Sequence, residues 1–140
     1  MQSPPHVQPF LPRPPSSSST KSGPTRTTIA IRQLAPGYDA LQNVVASLLS
    51  ARLPESAQLL VVGAGTGAEI VRVGQAHPQW QFTAVDPSPA MLDRCRTAVA
   101  DAGLSDRVEY ACKRVEAMPL GGPFDAATSL LVAHFIEDEP

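Results

Sequence analysis

The chain is predicted to fold as an α/β protein with a Rossmann-like, doubly wound parallel sheet. Residues 59–62 form an uninterrupted apolar run that leads directly into a turn with glycine at positions 63, 65 and 67. Strands buried on both faces of a parallel sheet show such runs instead of an alternating pattern. A second strand-like segment, 82–85, follows a helix-like stretch and leads into Asp86. Strands that alternate with helices predict βαβ units.

Residues 1–28 are predicted to be a disordered tail, and residues 29–140 a partial domain. Positions 1–24 contain seven prolines and six serines, which cannot build a hydrophobic core. A Ser-rich, acid-free segment is also typical of organelle transit peptides, but the proline density argues against their amphipathic helix. The chain has neither the apolar core of a secretory signal nor a run of the ~20 apolar residues that span a bilayer. We therefore expect a cytoplasmic protein without a membrane segment.

A helix is predicted between this tail and the glycine turn. Asp39 is suited to cap it, and Pro54 to end it. Apolar residues at helical spacing are expected to share its buried face: Leu41, Val44, Val45, Leu48 and Leu49.

The glycine turn is predicted to carry a nucleotide-like cofactor. Glycines accept backbone angles closed to other residues, and the helix that follows directs free N–H groups at a ligand. Gly63-x-Gly65-x-x-Ala68, with Asp86 about twenty residues downstream, fits the dinucleotide fingerprint. Read as Gly63-x-Gly65-x-Gly67, the turn also resembles the first motif of class I S-adenosylmethionine-dependent methyltransferases.

The segment after Asp86 favours the methyltransferase interpretation. Ser88 is placed as a helix N-cap, Pro89 as the first helical residue and Gly103 as the stop. Its sheet-facing residues are predicted to be Leu92, Cys95, Val99 and Ala102. An aspartate that leaves a strand before a Ser-x-x-Met helix start resembles the second methyltransferase motif.

Later segments extend the resemblance from about Ala35 to the end of the chain. Residues 107–112 have the alternation of a third strand, 116–120 resemble the adenine-binding turn, and 124–135 resemble the fourth strand and its loop. The resemblance implies the N-terminal half of the fold, with strand order 3-2-1-4. It departs at Lys113-Arg114, where many relatives have Gly-Asp, because arginine has no hydrogen-bond acceptor for the adenine amino group. We favour recognition by the backbone near Arg114 and Val115; the alternatives are that Glu116 substitutes or that adenine binding is weakened.

The resemblance implies S-adenosylmethionine as the cofactor and the roles of several residues. Asp86 is expected to hold the ribose hydroxyls, Met91 to pack on the adenine and Tyr38 to touch the methionine end. The implied cofactor-binding residues are Tyr38, Gly63, Ala64, Gly65, Gly67, Asp86, Pro87, Met91, Arg114, Val115, Ser129 and Leu130. His134 could act as a general base, but no catalytic residue is assigned.

The net charge and the two cysteines argue against two kinds of ligand, nucleic acid and a metal ion. The net charge is −2, and no basic run is interleaved with aromatic residues, which argues against nucleic acid as a partner. Cys95 and Cys112 lack metal-ligand spacing and are both expected to be buried thiols, so no metal site is predicted.

The favoured function is methyl transfer to a small-molecule acceptor. Three alternatives stay open: an enzyme similar to carboxy-S-adenosylmethionine synthases, to which Ser88-Pro89-Ala90-Met91 is similar; a NAD-dependent oxidoreductase; and a non-catalytic cofactor-binding fragment. Only four of the seven strands of the resembled fold are expected within the 140 residues. A fragment is the favoured explanation, and self-association along the edge of strand four is the other.

Overall fold

The computed structural model describes residues 35–119 and 122–132. These residues contain a four-stranded parallel sheet with the order β3-β2-β1-β4. The strands are β1 (Gln58–Val62), β2 (Gln81–Val85), β3 (Val108–Ala111) and β4 (Ala126–Ser129). The helices are α1 (Tyr38–Arg52), α2 (Ala68–Ala76) and α3 (Pro89–Asp101), with 3-10 turns at Ser105–Arg107 and Val115–Ala117. The predicted fold class and strand order are confirmed, whereas the predicted tail, 1–28, and His134 lie outside the described residues.

One face of the sheet carries the core. Strand register aligns Val61 with Ala84 and Thr128, so these side chains share a face. That face packs on α2 and α3 in a single cluster whose fully buried members include Leu59, Val61, Trp80, Ile70, Val73, Leu92, Cys95 and Val99. Residues of opposite parity in β1, such as Leu60 and Val62, are only half-buried. Within the described part of the chain, no helix is long and apolar enough to cross a membrane.

Helix α1 differs from the prediction in how it begins and in which face it buries. Gly37, with a left-handed φ of 90°, precedes its first residue, and no side chain caps it; Asp39 lies in the first turn instead and pairs with Arg72 at 3.5 Å. Val44 and Leu48 are 56% and 54% exposed, so their predicted burial is wrong. The face that packs inward runs through Gln42, Ala46, Leu49 and Leu53. The apolar residues of this helix occupy several of its faces, so their spacing alone does not define which face is buried.

The helix after Asp86 begins as predicted. The Ser88 hydroxyl accepts a hydrogen bond from the Met91 backbone N–H at 3.3 Å, and Pro89 is the first helical residue. Leu92, Cys95 and Val99 are buried, and Gly103 follows the helix with a φ of 73°. The two cysteines differ, however. Burial raises the pKa of Cys95 to about 11, whereas Cys112 is exposed at the end of β3, so its predicted burial is wrong.

Arg107, which was expected to be a β3 residue, connects α2 to the sheet from the 3-10 turn. Its guanidinium donates hydrogen bonds to the backbone carbonyls of Gly74 at 2.7 Å, His77 at 2.8 Å and Trp80 at 3.1 Å. These carbonyls lie at and beyond the carboxyl end of α2, where several carbonyls lack helical partners.

Replacing Arg107 with alanine should therefore lower the free energy of unfolding by about 2–3 kcal/mol, because charge-assisted hydrogen bonds to buried carbonyls are lost. Urea denaturation measures this change. Arg52→Ala, at the exposed end of α1, is the matched control and should change stability by less than about 0.5 kcal/mol. An equal effect of both substitutions would contradict the assigned role of Arg107.

Candidate functional site

Backbone hydrogen bonds hold the glycine turn against the end of β2. The N–H groups of Gly63 and Ala64 both donate to the Val85 carbonyl, at 2.7 and 3.1 Å. Gly63, Gly65 and Gly67 have φ values of 67°, 53° and 78°, which favour glycine strongly. The three predicted glycines thus form one tight bend at the carboxyl ends of β1 and β2, the edge of the sheet where ligands bind in open α/β folds.

Asp86 joins this bend to the next helix. Its Oδ2 accepts a hydrogen bond from Gly65 N at 3.0 Å, and its Oδ1 accepts one from Ser88 N at 2.9 Å. The residue is 8% exposed. Each carboxylate oxygen retains a further acceptor position for a ligand hydroxyl.

The three glycines face different neighbours. A Cβ at Gly63 would overlap the side chain of Val132, and a Cβ at Gly67 would lie 2.7 Å from the Cys95 Sγ. A Cβ at Gly65 would meet nothing closer than the Gly63 carbonyl oxygen at 3.8 Å. Gly67 therefore allows α2 and α3 to approach, whereas Gly65 leaves open space above the bend.

A cleft of about 130 Å³ lies beside the bend. We call it the carboxyl-edge cleft; it is lined by Val62, Gly63, Val85, Pro87, Lys113, Arg114, Val115, Glu116 and Val132. Its walls are mainly aliphatic, and Asp86 immediately precedes Pro87 in its wall. An apolar slot next to a buried carboxylate fits a flat base and its attached sugar diol, and the open space above Gly65 fits the chain that continues from the sugar.

Charged side chains occupy the rim of the cleft at the predicted adenine turn. Lys113 and Arg114 are exposed, and Arg114 Nε lies 3.5 Å from Glu116 Oε2. This neighbour and backbone hydrogen bonding lower the pKa of Glu116, with the backbone as the larger cause. Glu116 thus lies within ion-pair distance of Arg114 at the rim of the cleft.

The predicted site residues fall into two groups, those that line the carboxyl-edge cleft and those that do not. Gly63, Pro87, Arg114 and Val115 line it. The residues that do not line it are Tyr38, Ala64, Gly65, Gly67, Asp86, Met91, Ser129 and Leu130. The Tyr38 hydroxyl accepts a hydrogen bond from Gln42 Nε2 at 3.2 Å. Val132 had no signal in the sequence, because only the path of the chain after β4 brings it over Gly63.

Glu69 and Thr128 form a second polar feature near the bend. Glu69 lies in the first turn of α2, and Thr128 in β4 is 9% exposed. Burial raises the pKa of Glu69, and the nearby Thr128 hydroxyl offsets part of that rise. The two groups do not meet hydrogen-bond geometry, and within the described ranges Glu69 Oε1 and Thr128 Oγ1 have no hydrogen-bond partner. The residues at 35–119 and 122–132 contain no group of three potential metal ligands.

Comparison with known proteins identifies the family. The sequence profile of the family described as "Methyltransferase domain" matches residues 59–140, more than half of the chain. The chain belongs to the class I S-adenosylmethionine-dependent methyltransferases. The match begins in β1 of this chain and includes the glycine bend, Asp86 and the lining of the carboxyl-edge cleft.

Individual relatives agree on the fold. Over 68 residues, the chain is 31% identical to the carboxy-S-adenosyl-L-methionine synthase of Klebsiella pneumoniae, covering 47% of this chain and 28% of that one. It is similar to a Methanococcus maripaludis protein described as an S-adenosyl-L-methionine-dependent methyltransferase, with a TM-score of 0.66 and 20% identity over 81% of this chain and 51% of that one. The chain is also similar to an RNA methyltransferase from Salinibacter ruber in complex with S-adenosyl-L-homocysteine. That match has a TM-score of 0.57 and 17% identity, and it covers 66% of this chain and 58% of the other. The chain thus spans 28% of the curated relative and little over half of each structure.

Proposed function

We propose that the chain binds S-adenosylmethionine and takes part in methyl transfer to a small-molecule acceptor. The observation that carries this proposal is the juxtaposition of an apolar cleft, a glycine bend and Asp86 at one edge of the sheet. Pro87 and Val115 would enclose the adenine, and Asp86 would accept hydrogen bonds from the ribose hydroxyls. Gly65 leaves room for the rest of the cofactor to pass the bend.

The chain's contribution to the reaction is mainly to bind and orient. When bound, S-adenosylmethionine supplies an electrophilic methyl carbon on a sulfonium. The rigid bend, fastened to Val85 and Asp86, would hold the nucleoside at a fixed position so that an acceptor can approach in line. The net charge of −2 supports a small molecule over a nucleic acid, since it gives no general attraction for phosphate groups.

Calorimetric titration tests this proposal. The purified chain should bind S-adenosylmethionine and S-adenosylhomocysteine but not NADH. Mass spectrometry of candidate acceptors after incubation with S-adenosylmethionine should then detect a gain of one methyl group. Binding of NADH without a response to the sulfur compounds would support a nicotinamide oxidoreductase instead.

A second candidate is an enzyme that modifies the cofactor itself, similar to the carboxy-S-adenosylmethionine synthases. The similarity to the Klebsiella pneumoniae synthase favours it. Titration with carboxy-S-adenosylmethionine separates the two candidates. At least tenfold tighter binding than S-adenosylmethionine would favour the synthase-like function, and equal or weaker binding would favour methyl transfer.

A further inference from the structure

Helix α1 carries a row of apolar residues on its exposed side. Its members recur at intervals of four, four and three residues, which places them in one row along the helix: Ala40, Val44, Leu48 and Ala51. All four are exposed, Val44 by 56% and Leu48 by 54%. We call this row the α1 stripe. A contiguous set of exposed apolar side chains marks a surface on which another segment packs.

Helix α2 and the residue that ends it contact α1 on a different side from the α1 stripe. Asp39 pairs with Arg72 at 3.5 Å, and Ser50 Oγ lies 2.7 Å from His77 Nε2. The rotation of successive residues around a helix places these two polar side chains on one flank of α1 and the α1 stripe on another. The α1 stripe is therefore left for a segment other than α2.

A tight turn directly before α1 points to that segment. The Tyr38 N–H donates a hydrogen bond to the Ala35 carbonyl at 3.0 Å. Pro36 is the second residue of this turn, and Gly37 is the third, with φ 90° and ψ 3°. Proline and a left-handed glycine at these positions are typical of a type II turn, which reverses the chain direction. The turn thus directs the chain that precedes Ala35 back toward α1.

Residues 29–34 have the composition and the length to cover the α1 stripe. Four of the six are apolar, and residues 25–35 contain neither proline nor glycine, whereas seven of the first 24 residues are prolines. In an extended segment, Ile31 would lie four residues from Ala35, which is about 13 Å. Leu48 is ten residues from Tyr38 along α1, which is about 15 Å. An extended segment that runs back along α1 therefore brings Ile31 level with Leu48.

We propose that residues 29–34 pack in extended form on the α1 stripe, with Ile31 against Leu48. The occupant is the chain's own segment and not a second copy, because the turn at Ala35–Tyr38 tethers it next to the α1 stripe and gives it a high effective concentration there. This contact extends the folded domain to residue 29. It does not depend on the cofactor or on the proposed function.

Disulfide trapping in the full chain tests the proposed contact. With exposed Cys112 replaced by serine, and Cys95 buried, Ile31→Cys is combined with Leu48→Cys or with Ser47→Cys. Ser47 is exposed and adjacent in sequence but lies outside the α1 stripe, so the tether length is matched. In oxidised glutathione, the Leu48 pair should form an intramolecular disulfide at least tenfold faster than the Ser47 pair. Equal rates, or disulfides mainly between two chains, would overturn the proposal.

Thermal unfolding of a double-mutant cycle provides an independent test. Ile31→Gln and Leu48→Gln should each lower the melting temperature by about 4 °C, and the double variant should lose no more than about 1 °C beyond the larger single loss. Glutamine and leucine have similar helix propensities, so the helix itself is little affected. Val7→Gln and Ser47→Gln are the controls and should each change the melting temperature by less than about 1 °C.

Three results of the cycle would contradict the proposed contact. Additive losses would mean that Ile31 and Leu48 do not interact, and unchanged melting temperatures would mean that neither residue is covered. A wild-type melting temperature that rises with chain concentration, and no longer does so in Leu48→Gln, would assign the α1 stripe to a second copy.

Discussion

Replacing Asp86 with asparagine is expected to weaken S-adenosylhomocysteine binding at least tenfold and to lower the free energy of unfolding by ~1–3 kcal/mol. The substitution keeps the shape of the side chain but replaces one acceptor oxygen by an NH₂ group. Asp86 uses both oxygens to accept backbone N–H groups, from Gly65 and Ser88, so one of these donors would face another donor. The ribose hydroxyls would also lose an anionic acceptor. Calorimetry and urea denaturation measure the two effects.

Ser88→Ala is the control that separates the loss of cofactor affinity from the loss of stability. It removes the N-cap of α3, where the hydroxyl accepts a hydrogen bond from Met91, and should cost about 1 kcal/mol of stability. The Asp86 carboxylate and its contact with the Ser88 backbone N–H are retained. Ser88→Ala should therefore bind S-adenosylhomocysteine within about threefold of the wild type, a difference below about 1 kcal/mol. If it loses as much affinity as Asp86→Asn, the ribose contact is not the reason for the loss.

Replacing Gly67 with alanine is expected to destabilise the chain strongly. A left-handed residue with a side chain costs about 1–2 kcal/mol, and crowding in a packed interior costs roughly 1–3 kcal/mol more. Both apply at Gly67, which has a φ of 78° and whose added Cβ would lie 2.7 Å from the Sγ and 3.3 Å from the Cα of Cys95. Denaturation in urea should show a loss of roughly 2–5 kcal/mol, the sum of these two contributions.

Gly65→Ala is the matched comparison because the same change meets open space there. Only the cost of its φ of 53° applies, so the expected loss of stability is about 1–2 kcal/mol. The added methyl group would instead occupy space above the bend and weaken cofactor binding. In a double-mutant cycle, Cys95→Ala should recover part of the stability lost in Gly67→Ala, since it removes the Sγ. No recovery would argue that the contact with Cys95 is not the cause.

The strands and the bend were predictable because local sequence determines them. The apolar run of β1, the glycines that follow it and the Ser88-Pro89 helix start each have one structural interpretation with strong physical support. The parallel order 3-2-1-4 came from the family resemblance and is confirmed. Helix α1 was harder: its apolar residues are compatible with several faces, and only packing against α2 brings Gln42 inward while leaving Val44 exposed.

The details of the site depend on contacts between residues distant in sequence. Val132 reaches Gly63, Arg107 reaches the end of α2, and Thr128 lies beside Glu69. No local pattern predicts such pairs, because each needs the register of the sheet first.

A crystal structure of the chain with S-adenosylhomocysteine tests the central claim most directly. The account predicts the adenine between Pro87 and Val115, the ribose hydroxyls within hydrogen-bond distance of the Asp86 carboxylate, and the amino acid portion beyond Gly65. Electron density for the ligand at another edge of the sheet, or a cleft that remains empty at saturating ligand, would contradict it.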